Sequence, residues 1–362
     1  MTLDAGGTNF VFSAFCDGKE LVTPVRLPAH ADDLSLCLNS LIEGFTQVGK
    51  SLPVPAVAIS FAFPGPADYA NGVIGDLPNF PSFRGGVALG PFLEDKFSMP
   101  VFINNDGNLF AYGEAMGGML PHVNAELEAS GSGRQYHNLL GVTFGTGFGS
   151  GVVSDGRLLI GDNGCGGDVW LTRNVKYNDM IAEEGVSIRA VKRVYEECSG
   201  EDARLLTPKD IFDIAEGARP GNRKAAMDSF EELGRTAGAA IAGALDIVDG
   251  LIVIGGGLAG AHKYFLQALV QELNRTLGTF SGRSFPCLQQ KVYNLEDEAE
   301  RNRFFADDDG QVQVPFSDRR VCYHKEKKTG VAISRLGASK AVNLGAYYFA
   351  VNKMNEDAVL YK

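Results

Sequence analysis

The sequence predicts a mixed α/β fold built from two related lobes, and three observations carry that prediction. Residues 2–15 and 139–160 share one design, an apolar strand, a glycine turn and a second strand. Each of these segments opens one half of the chain, as expected if each starts its own layer of sheet and helix. The 362 residues, 45% hydrophobic and 21% charged, suffice for two domains with real cores.

The first segment turns through Asp4-Ala5-Gly6-Gly7-Thr8-Asn9 into the strand-like run 10–15. Residues 54–63 read as a buried strand that ends at Pro64-Gly65-Pro66. Residues 100–104 read as another, ending at Asn105-Asp106, with a helix over 109–117. The polar stretch 121–135 contains Ser130-Gly131-Ser132-Gly133 and is predicted to be a surface loop. The second glycine segment runs Gly145-Thr146-Gly147-Phe148-Gly149-Ser150-Gly151. Ser187 suits the N-cap of a helix over 188–198, with Ile188, Val191, Val194 and Tyr195 on one face. A long helix packed through Ala and Gly is predicted over 224–248. It leads to the strand 251–254, the turn Gly255-Gly256-Gly257 and a helix over 261–277. Residues 284–328 are less regular, and the charged stretch 296–309 within them reads as a mobile insert. The chain closes with a helix from 339.

The net charge of −11 argues against nucleic acid or an anionic membrane as the main partner. It leaves room for a phosphorylated ligand, because backbone dipoles can hold phosphate inside an acidic protein. No apolar run is long enough to span a membrane, and no signal-type segment opens the sequence. The six cysteines are scattered without a C-x-x-C pair, as expected of reduced thiols in a cytoplasmic protein.

A glycine turn between two strands points several backbone N–H groups into one concavity, and glycine lets a phosphate approach the main chain. An ordinary hairpin turn would explain one such segment, but two, each opening a half, favour a pair of phosphate cradles. Gly6, Gly7, Thr8 and Asn9 form the first, and Gly145, Thr146 and Gly147 the second. Asp4 can hold Mg²⁺ directly or through water. No G-x-x-x-x-G-K-[ST] is present, which excludes a P-loop. The stretch Gly255 to Gly260 fits G-x-G-x-x-G between a strand and a helix. It lies late in the chain and lacks the acidic strand end that a dinucleotide site needs, and a turn against an adenosine explains it equally.

These motifs, in this order, resemble the ROK family (repressors, open reading frames, kinases). The resemblance rests on Asp4 to Asn9, Pro64-Gly65-Pro66, Pro78-Asn79-Phe80-Pro81, Asn104 to Asn108, Gly145 to Gly151, Gly164 to Asp168, Gly255 to Leu258 and the ending Leu336 to Ala346, nearly the whole chain. It implies a two-lobed actin-like (ribonuclease H-like) ATPase fold of hexokinase type, mixed sheets flanked by helices, with the active site in the interdomain cleft. The expected lobes are a small one over 1–110, completed by a helix over about 339–362, and a large one over 111–338 with an irregular insert over about 284–328. The implied activity is transfer of the γ-phosphate of ATP, with Mg²⁺, to a hydroxyl (O6) of a hexose or N-acetylhexosamine. Asp106 is the implied general base. Gly65, Asn79, Asn105, Asp106, Asp168 and Glu183 are the implied sugar contacts, with Glu184 the competitor for Glu183. Gly256 and Gly257 would lie against the adenosine. A homodimer or homotetramer is expected.

The sequence departs from the family pattern at Gly167-Asp168-Val169-Trp170-Leu171, where Gly-Glu-Ile-Gly-His is usual. The cysteine-rich zinc motif is absent from 172–181, so no zinc is expected. These changes remove one sugar-hydroxyl ligand and add an aromatic surface at Trp170, which predicts a specificity unlike a standard glucokinase, toward an N-acetylated hexosamine or an uncommon hexose. Only three residues precede Asp4, whereas such a strand usually has about 5 or 6. Either the natural start lies upstream or the lobe tolerates a short strand. A helix-turn-helix regulator has no room before Asp4, and a non-catalytic sugar-binding protein is the remaining alternative.

Overall fold

A computed structural model of the chain describes residues 1–6, 8–65, 67–77, 80–306 and 309–360. The chain divides into two compact units. The first takes Met1–Gly118 and Arg157–Gly166 with the chain from Leu336 onward, and the second takes Met119–Gly156 and Gly167–Arg335.

The sheet of the first unit contains β1 (Thr2–Ala5), β2 (Asn9–Ser13), β3 (Val25–Pro28), β4 (Ile59–Ala62) and β5 (Val101–Asn104), in the order β3-β2-β1-β4-β5. β1 and β2 form an antiparallel hairpin, with Thr2 opposite Ser13 and Ala5 opposite Phe10. β1, β4 and β5 run parallel, so their connections must cross over through helices. Helix α1 (Leu34–Ser51) starts because the Asp33 side chain accepts the Leu36 N–H. It buries Cys37, Leu41, Phe45 and Val48, spaced for one face. Phe45 meets Phe12 edge-on at 5.0 Å, an arrangement that contributes about 0.5–1.5 kcal/mol beyond burial. Burial among these side chains pushes the Cys37 thiol up to about 12, consistent with an inert packing thiol.

Helix α2 (Leu89–Phe97) leads to β5, and α3 (Asp106–Gly117) follows β5 after a single residue, Asn105. The chain's last helix, Ala338–Leu360, lies across α3 at van der Waals closeness. A Cβ on Gly113 would strike the Ala341 carbonyl oxygen, and one on Gly345 the Leu109 carbonyl oxygen. Backbones this close admit only glycine at the crossing, which fixes where α3 begins relative to the sheet.

In the second unit the stretch read as a loop, 121–135, instead opens with helix α4 (Met119–Ala129). Pro121 falls within its first turn, where a missing N–H costs no helical hydrogen bond. The sheet contains β6 (Leu139–Phe144), β7 (Phe148–Ser154), β8 (Leu251–Gly255), β9 (Lys291–Asn294) and β10 (Lys328–Ile333), which follow one another as β7-β6-β8-β10-β9. β6 pairs antiparallel with β7 and parallel with β8, repeating the plan of β1 with β2 and β4. Helices Ile188–Ser199, Pro208–Glu216, Arg223–Val248 and His262–Leu273 pack around this sheet. The long helix meets the next one through Gly238, where a Cβ would lie 2.7 Å from the Leu269 carbonyl oxygen.

Residues 284–328, read as irregular, supply β9 to the main sheet. The charged stretch read as mobile folds in part as the helix Glu298–Phe305. Asp297 caps it through the Glu300 N–H, and Phe304 is fully buried, stacked against Tyr136. Among the described residues, no helix is long and apolar enough to cross a membrane.

Candidate active site

In the first unit the predicted residues gather where β1, β4 and β5 end. This is the carboxyl edge of parallel strands, where open α/β sheets carry their ligand sites. The Gly6 N–H donates to the Asn9 carbonyl at 3.1 Å and closes the first turn. Asp4 sits half-buried on β1, while Gly6 and Thr8 are exposed. Gly7 and Asn79 lie outside the described residues.

Asn105 is the N-cap of α3, its Oδ1 accepting the Gly107 N–H at 2.8 Å. Asp106 is the first residue of the helix, and its own Oδ1 also accepts from Gly107 N–H, at 2.9 Å. Asp106 keeps contact with solvent. Enough protein surrounds its carboxyl that desolvation raises its pKa above the ordinary carboxylate value, opposed by the Gly107 N–H. The negative charge of Asp4 adds to the rise, which places the two carboxylates within electrostatic reach of each other. Two asparagines that the sequence reading did not single out as functional hold the turn. Asn104 is 2% exposed, and its Oδ1 accepts from the Asn105 N–H at 2.8 Å and from Asn108 Nδ2 at 3.0 Å. The Asn-Asn-Asp-Gly-Asn run was the available signal. Gly65 lies alongside, where a Cβ would stand 2.5 Å from Tyr69 Oη and 3.4 Å from Asn105 Nδ2.

In the second unit the turn Gly145-Thr146-Gly147 joins β6 to β7. The Gly145 N–H donates to the Gly147 carbonyl at 3.0 Å, and the Gly145 carbonyl accepts the Ile188 N–H at 2.8 Å. The N–H groups of Thr146 and Gly147 have no protein partner among the described residues, so both remain available to an anion. The late glycine turn lies beside it. Gly256 adopts φ +89°, and a Cβ there would collide with the Phe144 backbone, while Leu258 N–H donates to the Phe144 carbonyl at 3.0 Å. Gly257 faces open space. The structure thus brings Gly145, Thr146, Gly147, Gly256 and Gly257 together at the ends of β6 and β8.

Asp168 follows Gly167, whose φ is +88°. Ser150 pins this bend: its Oγ donates to the Gly167 carbonyl at 2.5 Å and accepts the Val169 N–H at 3.1 Å. Burial raises the Asp168 pKa, and the Trp170 indole N–H, which donates to its carboxyl, opposes the rise. Trp170 also packs against the core, so its ring serves the fold as well as any ligand, while Leu171 is 52% exposed. Without a metal motif, 172–181 is organised by Asn174, 1% exposed, whose Oδ1 accepts the Lys176 and Tyr177 N–H groups.

Glu183 is engaged at both oxygens. Oε2 accepts the Phe148 N–H at 3.0 Å, and Oε1 pairs with Arg189 at 2.8 Å. Arg189 also pairs with Glu184 at 2.6 Å, which holds the Glu184 carboxyl below its usual range.

Residues 1–298 match the family model described as the ROK family. A solved structure, a glucokinase from Parabacteroides distasonis, superposes with a TM-score of 0.87 at 59% identity, over 97% of this chain and 96% of that one. The glucokinase of Thermotoga maritima is 28% identical over 289 residues, 75% of this chain and 86% of the relative. An N-acetyl-D-glucosamine kinase of Photobacterium profundum is 27% identical over 293 residues, 76% of this chain and 87% of the relative. With these likenesses the α/β architecture is the two-lobed actin-like ATPase fold of ROK sugar kinases.

Proposed function

The chain belongs to the ROK family and is a sugar kinase, and from that premise we propose that it transfers the γ-phosphate of ATP to O6 of a hexose, glucose first among them, with Asp106 as general base. The observation that carries this reading is the setting of Asp106. A carboxylate stands at the carboxyl edge of the sheet, at the start of α3 and in contact with solvent, and desolvation raises its pKa above the ordinary carboxylate value, the direction that suits a base. In the reaction the sugar O–H bond breaks and its proton passes to the Asp106 carboxylate. The oxygen forms the new bond to the γ-phosphorus, and the bond from that phosphorus to ADP breaks. Asn105 and Gly65 flank the base and would orient the sugar, with Asn79 and Asp168 as further contacts. The turns Gly6 to Asn9 and Gly145 to Gly147 would hold phosphates, and Gly256 and Gly257 the adenosine.

Mg²⁺ carried with ATP offsets the negative charge of the phosphates. Asp4, a hard oxygen donor beside the first turn, would hold it directly or through water. Against the specificity expected from residues 167–171, glucose is favoured by two relatives named glucokinase, one of them 59% identical. An N-acetylhexosamine is the second reading. Leu171 exposes an apolar side chain where the family pattern has His, which suits a methyl group better than a hydroxyl. An assay coupled to ADP release, run over a panel of hexoses and N-acetylhexosamines, decides between them. The largest kcat/KM is expected for glucose. Turnover of N-acetylglucosamine alone would establish the second reading, and no ADP release with any sugar would overturn the kinase assignment.

A further inference from the structure

Residues 172–181 do not fit the zinc that the family pattern carries there. A closed zinc site takes four Cys, His or carboxylate ligands, and this stretch offers one carboxylate, Asp179, with no Cys or His. Among the described residues, no three such side chains gather to hold a metal. Apolar burial does not hold the stretch either. Among the described residues 172–181, Asn174 alone is buried, while Val175 and Met180 are half-exposed. Polar contacts take the place of both. The Ala182 N–H donates to the Thr172 carbonyl at 2.7 Å and closes the neck of the loop. Inside the neck, the Asn174 N–H donates to the Met180 carbonyl at 2.9 Å, and its Oδ1 accepts the Lys176 and Tyr177 N–H groups at 2.9 and 3.1 Å. Outside it, the Arg193 guanidinium lies over the Tyr177 ring at 5.1 Å, donates to Tyr177 Oη at 3.2 Å and to the Glu184 carbonyl at 3.4 Å.

The neck joins two carboxylates read as sugar contacts. Asp168 stands directly before the short helix Val169–Leu171, Glu183 lies within the short helix Ala182–Glu184, and these two helices lie against each other. We propose that Asn174 is a positioning residue, a metal-free staple that, with the Tyr177–Arg193 pair outside it, fixes Asp168 and Glu183 relative to each other so that both meet the sugar. The inference rests on the reading of those carboxylates as sugar contacts. A carboxylate has about four lone-pair sites, so Glu183, already accepting from Phe148 N–H and Arg189, keeps room for a sugar hydroxyl. A sugar gains most from two carboxylates that are already spaced for its hydroxyls, because a loose loop between them would have to be ordered on binding. The buried amide of Asn174 allows the loop one arrangement, since a shift would leave its oxygen and two backbone N–H groups unpaired.

The test compares steady-state constants of the full chain and its variants, each checked for folding by its melting temperature. Asn174→Ala is expected to raise KM for the sugar about tenfold, with KM for ATP changed less than about twofold. Asn174→Asp keeps an oxygen that accepts both N–H groups and should restore most of the sugar affinity. Tyr177→Leu removes the outer fastening and should raise sugar KM in the same selective way. An unchanged sugar KM in Asn174→Ala, or sugar and ATP KM raised together, would overturn the proposal. Asp168→Ala separates this from failure of the sugar-contact reading. If Asp168→Ala leaves sugar KM unchanged, that reading fails and the staple with it. If it raises sugar KM while Asn174→Ala does not, the positioning role alone fails. Metal content gives a readout apart from activity. The purified chain should carry no stoichiometric zinc, and 1,10-phenanthroline should leave its melting temperature unchanged. A melting temperature lowered by the chelator and restored by Zn²⁺ would overturn a metal-free staple. Should Asn174→Ala prove unfolded, Tyr177→Leu and Asn174→Asp decide in the same way.

Discussion

At the residue scale, Asp106, the proposed base, shows how a side chain placed for chemistry can work against the fold that holds it. Its folded pKa is raised chiefly by desolvation, with Asp4 adding to the effect. A carboxyl whose folded pKa exceeds its unfolded one costs no stability below the unfolded value. The cost grows as pH rises through the window between the two and is full above the folded value. Above the unfolded value the raised pKa is therefore a burden on the fold. Asp106→Asn is expected to raise the melting temperature at pH 7 and to leave it nearly unchanged at pH 3. It should lower kcat by about 10²–10⁴-fold, the usual contribution of a positioned acid or base. The wild-type rate should fall on the acid side as pH drops through the raised pKa, and Asp106→Asn should lose that limb. A variant with full activity would remove Asp106 from the chemistry. The position of Asp106 was legible in the sequence because an acid after a strand and two asparagines is unusual. Arg189 was not, because its partners, Thr146 and Glu183, are set by folding, and nothing in a surface arginine announces them.

At the element scale, the strands and glycine turns were legible and the short polar helices were not. β1 with β2 and β6 with β7 declare themselves by apolar runs broken at glycine, and the hairpins sit where that pattern puts them. Met119–Ala129 was hidden by Pro121 and by the Ser-Gly repeats that follow, although proline in a first turn is compatible with a helix. Glu298–Phe305 has no apolar stripe, only Asp297 as a cap and Phe304 as an anchor, so its charge suggested a loop. The crossing of α3 and the last helix was also invisible as a contact, since glycine in a helix ordinarily only weakens it and names no neighbour. That crossing gives a sharp expectation. Gly345→Ala would normally favour a helix by about 1 kcal/mol, yet here the new methyl is driven into the Leu109 carbonyl oxygen. The collision should outweigh the propensity gain and destabilise the protein by about 1–3 kcal/mol, the usual cost of overpacking. Chemical denaturation of Gly345→Ala and Gly113→Ala measures this, and an increase in stability for either would show that the helices separate at little cost. Because α3 begins at Asp106, these variants should also lower kcat.

At the scale of the whole molecule, the repeated plan of hairpin plus parallel strands accounts for both units, and each ends its first parallel strands at a glycine turn. On the proposed reading, each of these turns holds an anionic phosphate. This is what separates a kinase from a protein that merely binds sugar, since both would keep Asn105 and Gly65. The distinction can be made without catalysis. A ligand that binds only the folded chain at about 100 times its Kd adds about 2.7 kcal/mol of stability. For a cooperative chain of 362 residues, at about 2.1 cal/mol/K of unfolding entropy per residue, this corresponds to a rise of about 3–4 °C in melting temperature. ADP with Mg²⁺ is expected to produce such a shift without sugar, and Gly145→Val to remove it. A sugar-dependent shift with none from ADP or ATP would leave both glycine turns without a ligand, and the chain would then be a sugar-binding protein carrying the kinase fold. Because the second unit contributes Gly145 to Gly147 with Gly256 and Gly257, a shift that survives Gly145→Val but is lost in Asp4→Ala would move the nucleotide's main anchor to the first turn.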